Sequence, residues 1–261
     1  MNNKFFLQQL QRFVPNILLN KLQELHSNLL FHWILRGRSQ PLAVNQKSAI
    51  VFSPHQDDET LGCGGIIALK REHGVPVRVV FLTDGQNSGD PRIKPDEIIQ
   101  IRKQEAMTAL RILGVEPSEI HFLGQPDGAL GQLLTEQRQD TIEQLTQLLQ
   151  LYKPEEAYVP HRKDCHRDHE ATYELVQEAI AKSGLQVELL QYPIWLLWRA
   201  PLFIILKLQD IAVAYRLSID SVQDKKKGAI EAYSSQIVRL SPAFLNHFLG
   251  SYEIFFKVES E

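Results

Sequence analysis

The chain has 261 residues, 44% hydrophobic and 23% charged, a composition that suits one large soluble domain or one domain with an appendage. A net charge of −3 leaves no basic excess to neutralise phosphates, which excludes nucleic acid as an evident partner. Two cysteines, Cys63 and Cys165, make no secreted disulfide framework, and the first apolar stretch is broken by Gln8, Gln9, Gln11, Arg12 and Asn16, unlike a signal peptide; a cytoplasmic location is expected.

Residues 1–41 read as a helical appendage. Phe5, Leu7, Leu10, Phe13, Leu18, Leu19, Leu22, Leu25, Leu29 and Leu30 recur at three- and four-residue steps, interrupted by Pro15 and closed by the segment Arg36 to Pro41. These leucines need a cover: the main domain, a second copy in a homo-oligomer, or a membrane surface. Residues 42–261 form the main domain. From Ser48 the pattern becomes alternating strands and helices: strand AIVFS, a helix carrying Ile66, Ile67 and Leu69, strand VRVVFLT, and a helix from Pro95 capped by Asp96 and ended by Gly114. A strand near EIHFLG, a helix over 136–151, strand EAYVP, a helix over 169–182 and strand QVELLQY follow. Short strands buried on both sides and separated by helices predict an α/β, Rossmann-like fold, a mostly parallel sheet with helices on both faces.

The most apolar window, Tyr192 to Leu208, contains Arg199 and two prolines and is a poor spanning helix. Burial in the core is the simpler reading. Trp195 and Trp198 beside Arg199 leave membrane-surface contact, peripheral to the bilayer, as the alternative. Lys225 to Lys227 read as a solvated helix end.

Polar loops leave the carboxyl ends of successive strands, where open α/β sheets bind ligands. PHQDDE follows the first strand, TDG the second, GQPDG the third and PHRKDCHRDH the fourth. His55, Asp57, Asp58 and Glu59 within five positions repel or titrate one another unless a cation absorbs the conflict. His55 and Asp58 can reach a metal from either side of a strand-to-helix turn. His166 and His169, three apart, share a face if a helix starts there. Two histidines, one carboxylate and an open position form a catalytic zinc set, and a neighbouring carboxylate, Asp57 or Glu59, is a natural base. The residues alone do not choose between His166 and His169 as ligand, and His161 and Cys165 are further donors on the same loop. Asp84, Asp164 and Asp168 are candidates to orient ligand imidazoles. The glycines of GCGG serve close helix–strand packing rather than phosphate binding, because the G-x-G-x-x-G spacing is missing. Cys63, His73, His121 and His247 read as ordinary core or surface residues.

Several motifs in order resemble the PIG-L/LmbE-like metal-dependent deacetylases of N-acetylglucosaminyl compounds. They are Pro54 to Glu59 followed by LGCGG, LTDG, IRKQEAMTALRILGV with Arg102 and Glu105, LGQPDG with Asp127, HRDHEAT, and AIEAYSSQ over 229–236. Gln56 stands where proline is common in that family. The resemblance runs from Ser48 to Gln236 and is loose around Trp195 to Leu208. It implies that His55, Asp58 and His169 hold Zn2+, with Fe2+ as the alternative metal. It implies that Asp57 takes the proton from the attacking water and passes it to the departing amine. It also implies that His166 stabilises the oxyanion and that Arg102 and Asp127 position the sugar. The function so implied is removal of acetyl from a small-molecule amino-sugar conjugate. A hydrolase of another amide or ester, and a non-catalytic sugar- or nucleotide-binding domain, are the competing readings; the second has no need of Asp57.

Overall fold

The computed structural model describes residues 16–88, 92–200, 206–207 and 214–257. Helix α1 (Asn16–Trp33) precedes the two-residue strand β1 (Gln40–Pro41). Alternation then runs through β2 (Ala49–Ser53), α2 (Asp58–Glu72), β3 (Val77–Thr83), α3 (Pro95–Ile112) and β4 (Ile120–Gln125). It continues with α4 (Thr135–Tyr152), β5 (Glu156–Pro160), α5 (Arg167–Ser183) and β6 (Glu188–Tyr192). Next come α6 (Leu196–Arg199), β7 (Ala214–Ser218), α7 (Gln223–Ala232), α8 (Ser234–Ile237), α9 (Pro242–Asn246) and β8 (Tyr252–Lys257).

One eight-stranded sheet takes the order β1-β7-β8-β6-β5-β2-β3-β4. It is parallel except where β8 runs antiparallel between β6 and β7. The α/β, mostly parallel architecture expected from strand–helix alternation is therefore present. Strand β2 is buried at every position and divides its side chains by the two-residue period of a strand. Ala49 and Val51 pack with Ile66, Leu110 and Ile230 on one face; Ile50 and Phe52 pack with Leu145, Leu149 and Val176 on the other. Chain order reverses beside β2, with β3 and β4 on one side and β5 and β6 on the other. The carboxyl ends of β2 and β5 thus border the crevice where an open α/β sheet receives ligands.

Two local expectations are corrected. Asp96 does not cap α3: Pro95 is already the first helical residue, and Lys94 precedes it in extended conformation. Proline suits that place because its fixed φ is helical and its missing N–H has no partner to lose. Gly114, at φ +87°, ends the helix as expected. The run Lys225 to Lys227 is not uniformly solvated. Lys226 is buried, with Nζ 2.7 Å from Glu253 Oε1. That carboxylate also accepts hydrogen bonds from the backbone N–H groups of Gly65 and Ile66, at 2.6 and 2.9 Å. The GCGG segment admits such neighbours: a Cβ on Gly62 would stand 2.3 Å from the Tyr192 ring.

Helix α1 packs on α6. Leu30 and Ile34 join Leu196, Leu197, Ala214, Ile254 and Phe256 in an apolar cluster, and Ser27 Oγ lies 3.0 Å from His247 Nε2. The described part of the Tyr192 to Leu208 window is core: Leu196, Leu197, Ala200 and Leu206 are buried. Trp195 stacks on Phe244 at 4.4 Å and carries the Arg199 guanidinium 3.8 Å over its ring. Phe5, Leu7, Leu10, Phe13 and Pro15 of the helical reading, and residues 201–205 and Leu208 of the apolar window, lie outside the described residues. Among the described residues no helix is long and apolar enough to cross a membrane.

Candidate metal centre

The turn between β2 and α2 is locked to its neighbours before any ligand is considered. Ser53 Oγ donates to the His55 carbonyl at 2.7 Å, and Thr83 Oγ1 donates to the Pro54 carbonyl at 2.6 Å. Gln56 Nε2 donates to the Thr83 carbonyl at 2.7 Å, tying the turn to β3. Asp57 sits at φ +146°, ψ −32°, a backbone region that costs a non-glycine residue about 1–3 kcal/mol and persists only when its surroundings over-determine it. Glu59 supplies part of that constraint. Its Oε2 accepts the Asp57 N–H at 3.1 Å, while Oε1 accepts the hydroxyls of Thr60 at 2.6 Å and Tyr233 at 2.5 Å.

Across the crevice, α5 starts at the end of the loop after β5. His166 caps it, Nδ1 accepting the Asp168 N–H at 3.3 Å, and His169 lies in its first turn. One donor nitrogen from each of His55, His166 and His169 lies within 4.8 Å of the others. Asp58 Oδ2 stands 3.0 Å from His55 Nδ1 and 3.2 Å from His169 Nε2. The other side of the His55 ring, Nε2, faces Asp127 Oδ1 and Asp168 Oδ2, both at 3.2 Å.

His169 fixes what this set can hold. Its Nδ1–H donates to Asp164 Oδ2 at 2.7 Å, so the neutral ring carries its lone pair on Nε2. Nε2 is buried without a hydrogen-bond partner and points at a carboxylate oxygen. A lone pair facing a carboxylate 3.2 Å away needs a proton or a cation between them. Donors held at roughly 2.0–2.2 Å from a tetrahedral zinc stand roughly 3.3–3.5 Å apart, close to the spacing of the Asp58 pairs. The residues present fit a divalent cation.

Charge within the cluster shifts every member. Burial disfavours a charged His169, yet Asp58 and the bond to Asp164 outweigh it and hold the pKa at about 9. Burial likewise opposes ionisation of Asp58, but His169 and His55 keep its carboxyl far below the usual range. His166 is pushed down to about 4 by burial and by the charges of His169 and His55, so it is neutral at pH 7. Asp57 is raised to about 7 by burial and by Asp58, against the pull of Arg102 and His55.

The predicted residues converge unequally. His55, Asp58, His166 and His169 come together, with Asp57 beside them. Arg102 is buried with Nη2 2.6 Å from the Gln56 carbonyl and 3.4 Å from Asp57 Oδ1, so it braces the turn. Asp127 faces His55 and accepts the Asn87 N–H on Oδ2 at 3.0 Å. Asp164 bonds the His169 imidazole and Asp168 the His55 imidazole. Asp84 bonds neither ring: its Oδ1 accepts the backbone N–H groups of Gln86 and Asp127, so its carboxylate ties the TDG turn to the neighbouring GQPDG loop. His161 turns away to an edge contact with Phe256 at 5.0 Å, and Cys165 packs against the α1–α6 cluster. Sequence reasoning missed the Glu59–Tyr233 bond and the grip of Glu105 on Ser234 and Ser235. The recurrence of AIEAYSSQ with the other motifs was the available signal for both.

Residues 50–180, half of the chain, match the family model described as PIG-L: GlcNAc-PI de-N-acetylase, and the chain belongs to this family. A curated relative, the "Probable N-acetyl-alpha-D-glucosaminyl L-malate deacetylase 2" of Bacillus subtilis (strain 168), is 30% identical over 52% of this chain and 61% of its own length. The chain therefore matches less than two thirds of that relative. A 4-oxalmesaconate hydratase of Pseudomonas putida is 28% identical over 73% of this chain and 74% of its own. Among solved structures, the N,N'-diacetylchitobiose deacetylase of Pyrococcus horikoshii superposes with a TM-score of 0.64 at 24% identity, covering 88% of this chain and 91% of that one. That likeness shows the fold.

Proposed function

We propose that this chain is a metal-dependent N-deacetylase that hydrolyses the acetamide of an N-acetylglucosaminyl conjugate. The observation that carries the reading is the buried His169 Nε2, oriented by Asp164 and aimed at the carboxylate that Asp58 shares with His55. His55, Asp58 and His169 hold the cation, zinc or ferrous iron. Bound there, it supplies positive charge that polarises an amide carbonyl and acidifies a nearby water.

The chain's own groups do the rest. Asp57, half-buried and with a pKa of about 7, takes a proton from the attacking water as its oxygen bonds the acetyl carbon. It returns that proton to the sugar nitrogen as the C–N bond breaks, releasing acetate and a free amine. His166, neutral and with Nδ1 already accepting the Asp168 N–H, keeps its proton on Nε2 and donates it as a hydrogen bond to the oxyanion. Arg102 holds Asp57 in place, and both Arg102 and Asp127 border the sugar.

The amino-sugar substrate is supported by the names of the malate and diacetylchitobiose deacetylases. The hydratase relative favours a second reading, in which the same activated water adds to a carbon–carbon double bond. Incubating the purified protein with N-acetylglucosaminyl malate, N,N'-diacetylchitobiose and N-acetylglucosaminyl phosphatidylinositol, and separately with 4-oxalmesaconate, decides between them, with bound metal measured on the same sample. Acetate release in proportion to metal content is expected. Hydration of that unsaturated tricarboxylate with no acetate released from any conjugate would overturn the deacetylase reading.

A further inference from the structure

Helix α1 has two apolar faces, and only one of them is covered. Ser27 and Leu30 are buried against the domain, as is Ile34 just past the helix end, with Leu30 at 4% and Ile34 at 0% exposure. On the outward side Leu18, Leu22, Leu25 and Leu29 are 51%, 53%, 58% and 64% exposed. Their four–three–four spacing stacks them as one stripe along the helix. Single exposed leucines need no explanation, but a contiguous stripe marks an interaction surface.

The charge of this part of the sequence says what the stripe meets. Residues 1–41 carry Lys4, Arg12, Lys21, Arg36 and Arg38 against the single acid Glu24, a balance of +4. The whole chain is at −3, so residues 42–261 stand at −7. The fifteen residues preceding α1 add Phe5, Phe6, Leu7, Leu10, Phe13 and Val14 with two basic residues and no acidic one. A leucine face with lysine and arginine around it, on a helix too polar to span, has the chemistry of a segment that lies in the interface of an anionic bilayer. A second copy is disfavoured: a coiled-coil seam needs about three heptads, whereas the stripe covers fewer than two and Pro15 stands at its upstream end.

We infer that α1 docks this protein on an anionic lipid surface through Leu18, Leu22, Leu25 and Leu29, with Lys21 and Arg36 at the headgroups. The inference does not rest on the chemistry at the metal centre. Its test is flotation of the full-length protein with vesicles of phosphatidylglycerol and phosphatidylcholine, beside vesicles of phosphatidylcholine alone. Wild type should partition at least tenfold more strongly into the anionic vesicles. A variant carrying Leu18→Gln, Leu22→Gln, Leu25→Gln and Leu29→Gln should lose at least tenfold of that partition with an unchanged thermal melt. Lys21→Glu with Arg36→Glu, which leaves every leucine in place, should lose it too and stands in if the leucine variant does not fold. Equal partition of the variants and wild type would overturn the inference, as would equal binding to neutral vesicles. A wild-type dimer that the leucine variant converts to a monomer, with no flotation of either, would overturn it in favour of a second copy. Loss of flotation on deleting residues 2–15, with the leucine variant still bound, would assign the contact to that segment alone and overturn the role of the stripe.

Discussion

The crevice between β2 and β5 and the outer face of α1 depart from ordinary folding economy in opposite directions. In the crevice the fold buries what belongs in water: Asp58, Asp168 and His169 are 4%, 0% and 0% exposed, and one imidazole nitrogen lacks a hydrogen bond. On α1 it leaves in water what belongs inside. A packed domain with only its own stability to secure would do neither. The first departure asks for a cation and the second for an apolar, anionic surface. The difference shows that burial must be read against chemistry: buried charge and exposed leucine are each informative where the opposite arrangement would pass unnoticed.

Removing the proposed metal ligands of the crevice should break the comparison most severely. His55→Ala or Asp58→Ala should leave the protein without bound metal and without measurable turnover, while circular dichroism keeps the α/β signature, because both residues lie beyond the sheet core. Full metal occupancy in either variant would mean that other donors hold the ion. Asp57→Asn keeps the shape of the turn but removes the proton acceptor. Metal content should be unchanged and turnover should fall by about 10²–10⁴-fold. In the same assay His166→Ala should slow turnover with metal retained and His169→Ala should lose the metal; the reverse pattern would exchange the two roles.

A buried pair outside the crevice sharpens the contrast. Lys226→Met strands the Glu253 carboxylate in the core, and urea unfolding should show a loss of about 3–5 kcal/mol. Asp164→Asn should weaken metal affinity by roughly 10–100-fold, the usual effect of removing the partner that orients a ligand imidazole. The smallest effect belongs to the outer face of α1. Leu25→Gln should change stability by less than about 0.5 kcal/mol, whereas Leu30→Ala on the inner face should cost about 2–5 kcal/mol. Similar losses from both would mean that the outer stripe is covered by the fold itself.

The strands were the most legible part of the sequence. AIVFS, VRVVFLT and EAYVP are β2, β3 and β5 to the residue, because a parallel strand buried on both faces leaves a predominantly apolar run, broken in β3 only by Arg78, between polar loops. The rim was legible for a related reason: motifs that follow strands must meet at the carboxyl end of a parallel sheet. What stayed hidden depends on contacts distant in sequence. Glu253 lies in β8, where an acidic residue suggests a solvent-facing position, and only the fold brings Lys226 and the Gly65 N–H to it. Asp84 and Asp168 look alike in sequence, each just after a strand or before a histidine, yet loop direction sends one to a backbone and the other to His55. β7 and the antiparallel β8 went unread because neither is a pure apolar run.

Asp164 ties the two regions together. Its carboxylate takes the Nδ1–H of His169 and also the backbone N–H groups of Ile194, Trp195 and Leu196, all at 2.7–2.9 Å. The last three lead into α6 (Leu196–Arg199), the helix on which α1 lies. One carboxyl group therefore serves as both the orienting partner of His169 and the anchor of the helix beneath the outer stripe. Linkage then works in both directions: if a ligand seated against α6 changes metal affinity by some factor, the metal changes that ligand's affinity by the same factor. Amide hydrogen exchange at residues 194–196, followed with and without chelator, reads that shared free energy from its far end.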